Sequence, residues 1–177
     1  IYNQKEWTSE EVHVLENVKE ALPDTATVND IYDQLLYHPE DINMTISDIP
    51  KVFTVFRKKV EKYSRIRVAQ TPISAVNIQD ISNKTYIPKL EDMGCNVFQP
   101  HPQSAFPFKG GESSALNRLE DYFFNTKKLS VYKKTRNGLI GKDFSSKFSP
   151  WLANGSISAR TIYWNVKNFE VNHTKND

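Results

Sequence analysis

The chain holds a single cysteine, Cys95, among 177 residues, which excludes an internal disulfide and favours a reducing compartment. No apolar run approaches the roughly 20 residues needed to span a bilayer, so no membrane partner is expected. Charge of one sign is also scarce. Lys and Arg total 23 against 21 Asp and Glu, a formal net charge of +2. A balance that small implies neither nucleic acid nor an anionic surface unless a local patch supplies the field. The familiar catalytic signatures are missing too: there is no GxGxxG, Walker loop, HExxH or CxxC. His13, His38, His101 and His173 lack metal-ligand spacing, and no metal site is expected. What the chain does have is aromatic residues. Ten Phe, eight Tyr and three Trp argue for a packed interior, and the length suits one domain or two small ones.

Ile1-Tyr2 reads like the tail of a strand already under way, and residues 172–177 follow a helix without a stop signal of their own. Both ends read as cuts. Thr8-Ser9-Glu10-Glu11 has the form of a capping box, and Val12, Leu15, Val18 and Leu22 then recur at helical spacing until Pro23. Residues 31–37 (IYDQLLY) predict a short strand. A second helix is predicted from Asp48-Ile49-Pro50, with an apolar stripe of Val52, Phe53, Phe56, Val60 and Tyr63. Arg57, Lys58, Lys59 and Lys62 then form its solvated face. Prolines 72, 88, 100, 102 and 107 mark a long irregular stretch, longer than compact units usually tolerate. Gly110-Gly111 precede a helix with Ala115, Leu116, Leu119, Tyr122 and Phe123 on one face, and Ser158 caps a last helix burying Ile162, Val166 and Phe169. The expected architecture is an α/β portion over 1–63, an irregular linker over 64–107, and an all-α portion over 108–177.

Ser145-Ser146-Lys147-Phe148-Ser149-Pro150 is the one constellation with chemistry in it. Hydroxyls and a lysine gather where a helix is predicted to begin, and free N–H groups at such a place suit an anion, in particular a diphosphate. The same serines serve equally as plain helix caps. Cys95 sits in the linker with no identifiable partner. Glu10 and Glu11 are helix neighbours that point apart, so they make no carboxylate pair.

Several longer runs resemble one family. Phe108-Lys109-Gly110-Gly111-Glu112-Ser113-Ser114-Ala115-Leu116-Asn117-Arg118-Leu119 is similar to the F-x-GGE-x-x-AL-x-RL segment of photolyases and cryptochromes. Tyr132-Lys133-Lys134-Thr135-Arg136-Asn137-Gly138 resembles the YK-x-TRNG run of the DASH class. The serine-rich segment, continuing through Trp151-Leu152-Ala153, Gly155, Ser156, Ile157, Ser158 and Arg160, resembles the family's flavin-binding signature. Leu36-Tyr37-His38 and the run from Val52 to Lys58 match its LYH and FT-x-FRK stretches, although residues 39–43 depart from the usual DDLPF continuation.

The resemblance implies an incomplete Rossmann-like antenna domain followed by the start of a helical FAD-binding domain. The hydroxyls of Ser145 and Ser149 and the backbone around Ser146, Lys147 and Phe148 would hold the FAD diphosphate and ribityl side, with a second contact from Tyr132. Glu6 falls where the family contacts a folate-type antenna, and it reads as readily as an exposed carboxylate ahead of a helix. The family's tryptophan relay lies outside this stretch, so no catalytic residue is assigned and weak or absent FAD binding is expected of the chain alone. Two functions follow. One is a portion of a blue-light flavoprotein that repairs cyclobutane pyrimidine dimers, chiefly in damaged single-stranded DNA, or signals light. The other is a shortened relative without photochemistry, docked on a larger protein partner that covers its apolar faces. Either way the location is intracellular, with an organelle or the nucleus open.

Overall fold

The computed structural model describes residues 1–70, 85–96 and 99–173. Part of the expected linker and the run after His173 therefore lie outside the described residues. Packing groups the chain into two units, one made of Ile1–Ala69 with Leu152–Asp177 and the other of Gln70–Trp151.

The first unit opens with β1 (Tyr2–Gln4), α1 (Ser9–Ala21) and β2 (Asn29–Ile31). The two strands pair in parallel, Tyr2 opposite Asn29 and Gln4 opposite Ile31, and α1 supplies the crossover that parallel neighbours need. Thr8 stands at the N-cap of α1, but its side chain makes no capping bond. The first turn is exposed, so water can satisfy its N–H groups without the hydroxyl.

Residues 31–37 do not form the predicted strand, because pairing ends at Ile31. Tyr32 turns to stack on Trp7 at 5.1 Å, and Asp33 pairs with the buried Arg160. These contacts bend the chain where Asp33 and Gln34 had already interrupted the alternation.

The second helix also starts later than predicted, as α2 (Phe53–Tyr63). The Thr45 hydroxyl donates to the Asp48 carboxylate at 2.6 Å and fixes a separate 3-10 turn over Ile46–Asp48. Ile49 is then extended, as the residue before a proline prefers. Of the expected stripe, Val60 is buried and Phe56 half-buried, while Val52, Phe53 and Tyr63 are exposed. Arg57, Lys58, Lys59 and Lys62 are exposed as expected.

The last helix, numbered α6 below, spans Ala159–His173. Its cap is the expected one: Ser158 Oγ accepts from the Thr161 N–H at 3.0 Å. It buries Phe169 and half-buries Ile162 and Val166. The Trp164 indole N–H donates to the Arg67 carbonyl at 3.0 Å, and Arg67 grips Asp41 with bonds of 2.7 and 2.9 Å.

In the second unit α3 (Glu112–Glu120) begins at Gly111, whose φ of +89° is a conformation L side chains rarely adopt. The helix continues into a π turn over Asp121–Asn125. Ala115, Leu119, Tyr122 and Phe123 form the buried face as expected, but Leu116 is 40% exposed, since one residue along a helix is a rotation of about 100°. Two short helices follow, α4 (Tyr132–Thr135) and α5 (Ser149–Ala153). Trp151 is 1% exposed and packs on Phe106 at 4.9 Å and Phe108 at 5.5 Å. Its indole N–H reaches the Lys109 carbonyl at 3.2 Å. Phe148 meets Phe123 edge-on at 5.8 Å, which pins the far end of the serine-rich loop into the core.

Candidate functional site

Arg118 lies three residues after Ala115 and four before Tyr122, so helical geometry puts its side chain on the buried face of α3. That side chain is 1% exposed, and a charge so placed must be fully paired. Its guanidinium spends two bonds on carboxylates, Asp121 at 3.0 Å and Asp143 at 3.1 Å. The other three go to backbone carbonyls: Lys142 at 2.8 Å, Ser145 at 3.2 Å and Ser146 at 3.3 Å. All five donors are used. The Phe108 and Tyr122 rings stand 4.9 and 4.7 Å from the guanidinium carbon. Burial on its own would raise the Asp143 pKa, but the cations of Lys128 and Arg118 hold it below the usual carboxylate value.

The consequence lies in the peptide groups. A trans peptide points its C=O and the following N–H in opposite directions, and no peptide bond among the described residues is cis. With the Ser145 and Ser146 carbonyls turned onto Arg118, the N–H groups of Ser146 and Lys147 point away from it. The Thr135 hydroxyl similarly takes the Phe144 carbonyl at 2.9 Å, which turns the Ser145 N–H away from α4. No hydrogen bond among the described residues engages these three N–H groups or the hydroxyls of Ser145, Ser146 and Ser149. Lys147 adopts φ +65° and turns the chain into α5. The result is a short stretch of unpaired donors, held from behind, beside one lysine. Such a stretch has the donor chemistry that suits an anion.

The expected site residues are placed as follows. Ser145, Ser146 and Lys147 are half-buried, Phe148 is buried, and Ser149 is exposed at the start of α5. The helix contribution expected there is corrected: α5 has five residues, too few to sum a useful dipole, so any anion affinity falls on the loop's own donors. Tyr132 opens α4, and Thr135 ties that helix to the loop by also approaching the Val131 and Tyr132 carbonyls, at 3.3 and 3.5 Å. Glu6 belongs to the other unit. Its half-buried carboxylate accepts from Gln34 Nε2 at 2.8 Å and Gln4 Nε2 at 3.3 Å. Among the described residues there is no group of His, Cys, Asp and Glu fit for a metal ion, and no helix long and apolar enough to cross a membrane.

Comparison with known proteins gives the geometry a family. The DNA photolyase family matches residues 1–76. A Danio rerio protein named Cryptochrome DASH is 42% identical over 175 residues, covering 97% of this chain and 34% of that one. A Solanum lycopersicum protein named Cryptochrome DASH, chloroplastic/mitochondrial, is 35% identical over 195 residues, covering 100% and 33%. Among solved structures, a cryptochrome from Synechocystis sp. superposes with a TM-score of 0.84 at 38% identity, over 98% of this chain and 36% of the other. The fold is thus of the cryptochrome/photolyase type. The chain belongs to the cryptochrome/photolyase family, in its DASH class. It spans about a third of the length of the curated relatives it matches.

Arg118 was visible in the sequence only as part of a motif. The signal that marks it is an arginine inside the apolar repeat of Ala115, Leu119 and Tyr122. Such a residue must find partners in the core, although its targets at 142–146 lie too far along the chain for spacing to reveal.

Proposed function

We propose that the chain serves a DASH-type blue-light flavoprotein and that residues 145–149 hold the phosphate side of its FAD. The observation that carries this reading is the row of unpaired N–H and hydroxyl donors at 145–149, fixed from behind by Arg118 and Thr135. Diphosphate oxygens accept such donors without needing a helix dipole. Ser145 and Ser149 contribute hydroxyls, Ser146 and Lys147 backbone N–H groups, and Tyr132 a contact from α4. Phe148 contributes by anchoring the loop in the core. When bound, FAD supplies the electron transfer that splits a cyclobutane pyrimidine dimer or drives a light signal. Damaged DNA, chiefly single-stranded, is the proposed substrate, and the flavoprotein acts inside the cell.

On this reading residues 1–63 form the α/β portion, 64–107 the linker and 108–177 the start of the helical FAD domain. Glu6 faces a folate antenna. Its two amide partners leave the carboxylate oriented, as a ligand contact requires. Family membership weighs against the alternative of a docking module without photochemistry, which is not pursued. The test is the absorption spectrum of the protein purified from its native source. Banded blue absorption that survives gel filtration is expected, and a protein free of flavin overturns the reading.

A further inference from the structure

We propose that Arg118 is the positioning residue of the phosphate loop: its guanidinium sets the direction of the peptide N–H groups that meet the diphosphate. The proposal rests on the assignment of residues 145–149 to FAD. Its physical basis is how the five donors are divided. A buried arginine that served packing alone would be satisfied by the carboxylates, and Asp121 and Asp143 already take Nη1. Nε and Nη2 instead capture the carbonyls of Lys142, Ser145 and Ser146. The fork is rigid and planar, so it fixes the orientation of those peptides as well as their distance. Each carbonyl held inward sends the next N–H outward, and the outward set includes Ser146 and Lys147.

Lysine cannot copy this, because its three donors radiate from one nitrogen and it lacks the planar fork. Arg118→Lys therefore keeps the charge beside Asp121 and Asp143 but leaves carbonyls free to rotate, and their N–H groups rotate with them. Arg118 touches no substrate. It acts through the loop.

The experiment follows backbone amide resonances of the full 177-residue chain during separate titrations with FAD and with inorganic pyrophosphate, a readout that detects weak binding. Saturable shifts at Ser146 and Lys147 are expected with both. In Arg118→Lys, half-saturation should rise about tenfold, equivalent to one net hydrogen bond to a charged acceptor, while resonances remote from residue 118 keep the dispersion of a folded core. Unchanged half-saturation in the variant overturns the role of Arg118 and leaves the FAD assignment standing. A response to pyrophosphate but not to FAD still supports Arg118 as the organiser of an anion loop, and the flavin spectrum of the native protein then decides the cofactor assignment. No response to either overturns the anion loop and with it the role of Arg118. Should Arg118→Lys fail to fold, the Arg118 Nε–H of the unaltered chain decides. Slow solvent exchange supports the clamp, and exchange as fast as that of the exposed Arg65 overturns it.

Discussion

Replacing Arg118 by methionine gives the most demanding test of the packing. Methionine fills much of the same volume on α3 without offering a donor, so the change isolates the bonds from the space. It removes five hydrogen bonds and leaves Asp121 and Asp143 without their buried counter-charge. Breaking one side of a buried ion pair costs about 3–5 kcal/mol. Here the two carboxylates are 40% and 34% exposed and can be rehydrated in place, so the loss should fall at the lower end, about 3 kcal/mol. For a unit of this size each kcal/mol lowers the midpoint by roughly 4–8 °C, which makes the shift large. Native-state hydrogen exchange at the amides of Leu119, Tyr122 and Phe123 reads it within the unit concerned. Arg65→Met, at an exposed position, serves as the control and should stay within about 0.5 kcal/mol. A loss under about 1 kcal/mol for Arg118→Met, indistinguishable from the control, would show that desolvating the guanidinium cancels its bonds.

Further outcomes follow from the same geometry. Trp151→Phe keeps an aromatic ring packed on Phe106 and Phe108 but loses the bond to the Lys109 carbonyl, so chemical denaturation should register about 1 kcal/mol; an unchanged curve would mean the indole N–H is equally content in water. Asp143 has a folded pKa below its ordinary 3.8, so its stabilising contribution is complete above that value and fades as pH falls through the lower folded value. Exchange at the Phe123 amide should therefore accelerate in acid below about pH 4, and Asp143→Asn should remove that part of the dependence; an identical acid profile in the variant would contradict the pairing. In the flavin-loaded protein, Ser145→Ala with Ser149→Ala should weaken FAD retention by about 1 kcal/mol per lost bond, roughly fivefold each. Unchanged flavin content after dialysis would assign those hydroxyls to the loop alone.

The elements that sequence placed well are those with strong local signals. Pro23 ended α1 close to where the apolar spacing stopped, Gly111 opened α3, and Ser158 capped α6. Errors arose where side-chain contacts, distant in one case and local in the other, overrode the backbone preference. Residues 31–37 looked strand-like, yet Trp7 and Arg160 pull Tyr32 and Asp33 out of any ladder. Pro50 looked like a helix start, yet the Thr45–Asp48 bond closes a separate turn first. The candidate loop itself was legible, since a serine-rich stretch ahead of a helix is a local pattern. Its mechanism was not. The helix proved to be five residues long, and the group that orients the donors comes from α3, about 27 residues earlier. Separations of that kind leave no periodic trace.

FAD phosphates seated on N–H groups that Arg118 aims outward should be visible in a crystal structure of the protein with FAD bound. Diphosphate density is expected within hydrogen-bonding distance of the Ser146 and Lys147 amides, with the Arg118 fork still on the Ser145 and Ser146 carbonyls. A diphosphate bound elsewhere on the chain, or a loop whose carbonyls face the ligand, would contradict it.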